Sequence, residues 1–212
     1  MSAPQPTSAR VRQAAITLFA ERGFHGTGIR DLACHAGLSS ASLYHHMGTK
    51  EQLLAEIMAT ALRRLTDAAR QATHDVSDPA ERLGRLIALH VLTHATRPAE
   101  TRVVDNEVAA LSAELREPVV KLRDGYEQLF TEAIDAGARS GAFHPDDPAV
   151  ARLALLEMCN GVARWYSPQG TLDVAELARQ FAHLGMRVLD ADPPRTGPDI
   201  EYCQRIVARV WG

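Results

Sequence analysis

Aromatic residues are scarce in this sequence, 5% of 212, and no window approaches 18 uninterrupted apolar residues. A membrane-spanning helix is therefore not expected. Cysteine is sparse as well. Cys34, Cys159 and Cys203 have no paired spacing and make an odd count, which argues against a disulfide scaffold and fits a reducing cytoplasm, the expected location. The first residues, MSAPQPTSARVRQ, lack the apolar stretch of a signal peptide and read as a short disordered lead-in. Also missing are a phosphate-binding glycine loop, a dinucleotide fingerprint and a nucleophile–base pair, so no enzyme and no cofactor is expected. Runs of β-branched or aromatic residues that would signal strands are absent, and the 46% apolar content is largely aliphatic. The expected fold is all-α.

Net charge is only −3, a poor match to nucleic acid on average. The distribution is uneven, however. Residues 1–50 carry Arg10, Arg12, Arg22, Arg30 and Lys50 against Glu21 and Asp31, a net +3, while the remainder carries −6. Positive charge gathered at one end suits local phosphate binding.

Helical periodicity starts early. Val11, Ala14, Ala15, Leu18 and Phe19 share one face, and Gly23 ends that helix. A second helix over about 28–36 follows Thr27 as its cap, with Ile29, Leu32, Ala33 and Ala36 inward. Gly37-Leu38-Ser39 forms a turn, and residues 40–46 form a third helix pinned by Leu43. Thr49 and Gln52 then make a capping box for a longer helix, 49–72, striped by Leu53, Leu54, Ile57, Met58, Ala61, Leu62 and Leu65.

Further helices follow. Asp78-Pro79 and Asp147-Pro148 each place a cap before a first-turn proline. Between them, Leu83, Leu86, Ile87, His90, Val91 and His94 form one stripe. Pro98 opens a segment through Leu111, and a helix from about Glu117 runs to near Gly141. Residues 150–162 are apolar on nearly every face and need cover on both sides. Val174 to Val188 forms another stripe. The linker ADPPRTGP precedes a last helix over about 199–210, whose docking place the sequence leaves open.

The second and third short helices have the layout of a helix-turn-helix. The outward residues of the third, Ser40, Ala41, Ser42, Tyr44, His45 and His46, include no acid. Small side chains let such a helix approach a major groove, while hydroxyls and imidazoles reach base edges or phosphates. Thr27 and Lys50, with Ser39 at the turn, flank the unit at helix N-termini, where phosphates are readily held.

The run GFHGTGIRDLACHAGLSSASLYHHMGTKEQLL resembles the N-terminal domain of the tetracycline-repressor (TetR) family of regulators. It carries the glycine–aromatic pair, threonine, glycine turn, Leu-Tyr-His recognition helix and Thr-Lys-Glu helix start over about 47 residues. Gly28 stands where a hydroxyl residue is common, and Met47 where an aromatic is common. The resemblance implies a helix-turn-helix domain at 1–52, a helical ligand-binding and dimerisation domain at 53–190, and a linker with a short helix at 191–212. It also implies a homodimer reading a near-palindromic double-stranded operator, with helix 49–72 passing on a ligand-induced change. More loosely, LRDGYEQLFTEAIDAGARSGAF and NGVARWYSPQGTLDVAELARQF resemble a TetR subgroup that includes repressors of lipid and steroid catabolism. The effector that this implies is a hydrophobic acid or its acyl-CoA thioester.

Within the second domain, His90, His94, Tyr126, Asn160 and Trp165 interrupt apolar stripes and are the candidate ligand contacts. Leu155, Val162, Phe181, Leu184 and Gly185 are the candidate dimer seam, Gly185 permitting close helix approach. Two alternatives stand beside this. His90 and His94 have metal-ligand spacing, so a helical metalloenzyme would complete the site with Asp105 or Glu107. A partner-binding protein with a degenerate DNA head is the other.

Overall fold

The computed structural model describes residues 6–191 and 197–212. Of the lead-in expected over residues 1–13, residues 1–5 lie outside the described residues and residues 7–13 are helical rather than disordered; most of the linker expected at 191–198 also lies outside the described residues. Among those described there are eleven α-helices, one 3-10 turn and no strand: α1 (Thr7–Gly26), α2 (Ile29–Ala36), α3 (Ser40–Met47), α4 (Lys50–Thr73), α5 (Pro79–Thr96), α6 (Pro98–Asn106), the 3-10 turn Val108–Ala110, α7 (Ala113–Ser140), α8 (Pro148–Asn160), α9 (Val162–Trp165), α10 (Val174–Val188) and α11 (Ile200–Trp211).

The chain divides into two compact units. The first is residues 1–62 together with Ala99–Leu122; the second is residues 63–98 and 123–212. These units do not follow a linear cut at 52/53. Val103, Val104, Leu111 and Val119 fill the core of the first unit beside Phe19, Leu32, Leu43, Leu54 and Ile57, so a segment distant in sequence completes it.

In the first unit α1 buries Val11, Ala14, Ala15, Leu18 and Phe19, as the spacing predicts. Its helical path breaks at Gly23 (φ 73°, ψ 165°), and one further turn runs to Gly26. Gly37 takes a left-handed conformation (φ 64°, ψ 42°). That lets its N–H reach Cys34 O at 3.0 Å and the Leu38 N–H reach Ala33 O at 2.8 Å. Orphan carbonyls of α2 are thereby closed while the chain turns sharply into α3. The capping box of α4 forms as expected: Gln52 N donates to Thr49 Oγ1 (3.0 Å) and Thr49 N to Gln52 Oε1 (2.9 Å).

In the second unit α5 is the central helix. Beyond its expected stripe it also buries Ala88, Leu89, Leu92, Thr93 and Ala95, because α8, α10 and α11 all pack on it. The helix covered on every side is therefore α5, not residues 150–162. α8 buries Ala151, Leu155, Leu156 and Cys159 but leaves Val150 and Leu153 exposed, and a turn at Gly161 separates it from α9. α7 begins at Ala113, four residues before the expected start, with Ser112 O accepting from Arg116 N at 2.9 Å. Asp78, Asp147 and Asp199 each cap a helix by accepting a backbone N–H.

α11 docks on α5. Ile200, Cys203, Ile206, Val207 and Trp211 are its buried stripe, and the Arg97 guanidinium donates to the Trp211 carbonyl near the end of that helix. No helix among the described residues is long and apolar enough to cross a membrane.

Candidate nucleic-acid interface

α3 is eight residues long and is held from below by two side chains, Leu43 and Met47, both buried. Its first turn is closed by Ser39, whose Oγ accepts from Ser42 N at 3.2 Å. Two anchors one turn apart fix the rotation of the helix about its axis. The opposite side consequently points outward: Ala41, Tyr44, His45 and His46 are exposed, Tyr44 by 53%, and Ser40 and Ser42 are half-buried. The Tyr44 side chain is therefore about half in solvent, at the centre of an acid-free helix face. It is available to a base edge or a phosphate.

Two flanking residues have other roles than the sequence suggested. Thr27 is buried, and its hydroxyl lies 2.9 Å from Gly23 O and 3.2 Å from Leu18 O, both carbonyl acceptors within α1. It does not cap α2. Gly28 occupies that place, with its N–H donating to Asp31 Oδ2 at 3.3 Å. Thr27 is a closure for the break in α1, its buried hydroxyl donating to carbonyls of that helix. Lys50 likewise donates to Phe24 O and Thr27 O, both at 2.8 Å, and its Nζ sits 4.1 Å from the Phe24 ring centroid. Partial burial lowers its pKa from the usual lysine value. Two of its three ammonium donors are thus given to carbonyls of the α1–α2 connection.

Arg10 shows why counting basic residues misleads. Its guanidinium donates to Ala36 O and to Gly37 O (3.3 Å), serving the C-terminus of α2. Arg12 pairs with Glu100 at 2.8 Å and also reaches Ile57 O at 3.3 Å. Neither role has a signal in local sequence, since both partners are remote in the chain.

In the second unit the structure brings four of the five candidate ligand contacts together. His90 Nε2 donates to Asn160 Oδ1 (3.0 Å), and its Nδ1 accepts from the Tyr126 hydroxyl (2.9 Å). His94 Nδ1 donates to His90 O at 2.9 Å, and the two imidazoles stack at 4.0 Å between centroids. Burial first, and the neighbouring His94 second, hold the His90 pKa well below the ordinary value, so the ring is neutral. Trp165 is not part of this group. It is 54% exposed and stacks on Phe181 at 6.1 Å.

The His90–His94 pair does not present a metal site. Both His90 nitrogens are already used, the rings lie parallel instead of converging, and Glu107 is engaged with Phe24 N at 3.1 Å. No group of three or more His, Cys, Asp or Glu suited to a metal occurs among the described residues.

The expected dimer seam also needs correction. Leu155, Val162 and Gly185 are buried within the chain itself. A Cβ on Gly185 would lie 2.3 Å from Ile87 Cδ1, so this glycine serves the approach of α10 to α5. Phe181 is largely covered as well, and of the expected five only Leu184 is open. The large apolar side chains that remain exposed on α8, α9 and α10 are Val150, Leu153, Trp165, Leu184 and Val188. Sequence periodicity could not separate these from their buried neighbours, because both faces of 150–162 are apolar.

Two family models match the chain. Residues 11–57 match that of bacterial regulatory proteins of the tetR family, and residues 76–189 match the tetracyclin repressor-like C-terminal domain. The HTH-type transcriptional repressor KstR2 of Mycolicibacterium smegmatis is 30% identical over 181 residues, covering 84% of this chain and 88% of that one. A tetR-family bacterial regulatory protein from Rhodococcus RHA1 superposes with a TM-score of 0.81 at 31% identity, over 90% of this chain and all of the other. AibR, solved in complex with isovaleryl coenzyme A and operator DNA, superposes at 0.78 with 25% identity, over 88% of this chain and all of that one.

Proposed function

We propose, from the premise that this chain belongs to the tetR family of bacterial regulatory proteins, that it is a ligand-responsive repressor binding a near-palindromic operator as a homodimer. It is a transcriptional regulator and not an enzyme. The observation that carries the reading is α3, locked in rotation by Leu43 and Met47 with Tyr44 turned to solvent. A two-fold dimer sets two such helices about one DNA turn apart, so its geometry decides operator affinity.

The dimer seam in this reading is the apolar face of Val150, Leu153, Trp165, Leu184 and Val188. Five large apolar side chains in water are costly unless a second copy covers them. Leu184→Arg, placing a charge on that face, is expected to yield monomers in sedimentation, with operator affinity falling in parallel.

The effector is a hydrophobic acid or its acyl-CoA thioester. The polar groups assigned to it are His90, Tyr126 and Asn160, whose neutral donor–acceptor set suits a carbonyl or hydroxyl carried on an apolar skeleton. The similar AibR, whose solved complex holds isovaleryl coenzyme A, supports that class. Binding such a ligand would stabilise a state whose recognition helices no longer match the operator spacing. The test is a fluorescence-anisotropy titration of DNA upstream of the protein's own gene, with and without a panel of acyl-CoA thioesters. Release by at least one chain length supports the effector class; indifference to the whole panel removes it and leaves the regulator.

A further inference from the structure

The break at Gly23 creates a local problem with a specific solution. A positive φ takes the chain out of the helix, so the next amides lose their regular acceptors just where the chain must turn toward α2. The Phe24 N–H donates to Glu107 Oε2 at 3.1 Å. The Phe24 carbonyl accepts from Lys50 Nζ at 2.8 Å and from Thr27 N at 3.2 Å. The donor and acceptor of one residue are thus held by a carboxylate and an ammonium that come from two other segments, 83 and 26 residues away in sequence. Glu107 is itself fixed. Its own N–H donates to Val103 O at 3.2 Å, the end of α6, and its carbonyl accepts from Ala110 N at 3.0 Å in the 3-10 turn.

We infer that Glu107, acting with Lys50, is a positioning residue for DNA recognition: the pair fixes the Phe24 backbone and so sets where α2, and through it α3, is presented. The inference rests on the regulator reading above. The physical route is short. Phe24 to Gly28 is the whole connection between the break in α1 and the N-terminus of α2. Leu32 and Ala33 of α2 share a core with Leu43 of α3. A shift in that connection therefore moves the face that carries Tyr44. Two further contacts brace the segment that supplies Glu107: Glu100 pairs with Arg12 at 2.8 Å, and Ser112 N donates to Glu51 Oε1. Charge-assisted bonds of this kind are the stronger class of hydrogen bond, and removing one partner leaves the other unsatisfied.

The experiment uses the full chain as wild type, Glu107→Ala, Glu107→Gln and Lys50→Met. Affinity for the upstream DNA is measured at two salt concentrations, well below each variant's melting temperature. Glu107→Ala is expected to raise Kd about tenfold, the scale of one lost charge-assisted bond. Glu107→Gln, which keeps an acceptor, should recover affinity to within about threefold of wild type on the same basis. Lys50→Met should raise Kd while leaving the salt dependence unchanged, whereas loss of a phosphate contact would lower the salt slope by about one. Hydrogen exchange of the Phe24 amide gives a readout that needs no DNA: it should quicken in Glu107→Ala and stay near wild type in Glu107→Gln. A Glu107→Ala protein that binds as tightly as wild type, or keeps the Phe24 amide equally protected, overturns the inference. A Lys50→Met salt slope lower by one overturns the part given to Lys50. Wild type that binds no DNA defeats the regulator reading instead, and Phe24 exchange alone then decides whether Glu107 holds the turn.

Discussion

Polar side chains are used in opposite ways in the two compact units. In the first, Arg10, Thr27, Lys50 and Glu107 end on backbone carbonyls or amides of turns. They fix the path of the chain, and α3 is left with Ala41, Tyr44, His45 and His46 exposed. In the second, His90, Tyr126 and Asn160 end on one another inside an aliphatic core, and they fix no turn. A buried polar network has a desolvation cost that an apolar core avoids. Such a network on α5 sets the interior of the second unit apart from that of the first. One unit fixes turns with its polar side chains, and the other joins them to one another in its interior.

That contrast can be broken most strongly at the cores. Phe19 is buried in the first and Phe130 in the second. Truncating either to alanine should cost about 3–5 kcal/mol, read by chemical denaturation. A loss below about 1 kcal/mol for either would mean that its core is not the packed one described, by the same scale. Next is Gly185, where the absent Cβ allows α10 to approach Ile87. Gly185→Ala should destabilise by about 1–3 kcal/mol through overpacking. An unchanged melting temperature would show that α5 and α10 can separate freely.

The buried histidine gives a pH signature confined to the second unit. Its folded pKa lies well below the ordinary value, so the unfolded chain takes up a proton that the folded chain refuses. Stability attributable to His90 is full above the unfolded pKa, about 6.5, and falls as pH drops through it, by up to about 1.4 kcal/mol per pH unit. Melting temperature should decline between pH 7.5 and pH 5, and His90→Gln should flatten part of that decline. Equal slopes in the two proteins would remove His90 from the account.

The smallest effect concerns thiols. Burial raises Cys159 and Cys203 to about 12, while Cys34 is exposed on α2. Native protein should react with one equivalent of a thiol reagent, at Cys34. Rapid reaction of a second thiol would show that the second core opens readily.

Much of this was legible in the residues, for reasons that differ by region. The Gly37 turn, the Thr49–Gln52 box and the Leu43 anchor are local signals, each decided within four residues, and the structure has all three. Position at helix starts suggests Thr27 and Lys50 as phosphate clamps; their partners within the chain arise from the break at Gly23, which redirects carbonyls toward them. For Glu107 the sequence offers only a metal-ligand reading, since nothing local reveals that α6 joins the first unit. In the second unit the sequence singles out His90, His94, Tyr126 and Asn160 because polar residues inside apolar stripes stand out, and the structure brings these four together. Leu155 is buried within the chain rather than at a seam, because an apolar residue on a doubly apolar helix carries no mark of which face a second copy would cover.

The central claim is that the outward face of α3 reads DNA. The direct test is anisotropy of operator DNA with wild type and Tyr44→Ala at two salt concentrations, with both proteins shown to be equally folded. The account predicts tight, salt-sensitive binding by wild type and a loss of roughly five- to a hundredfold in Tyr44→Ala, the range of a lost base or phosphate contact. Equal affinity of the two proteins across both salts would contradict it, because the exposed aromatic side chain of that face would then take no part in recognition.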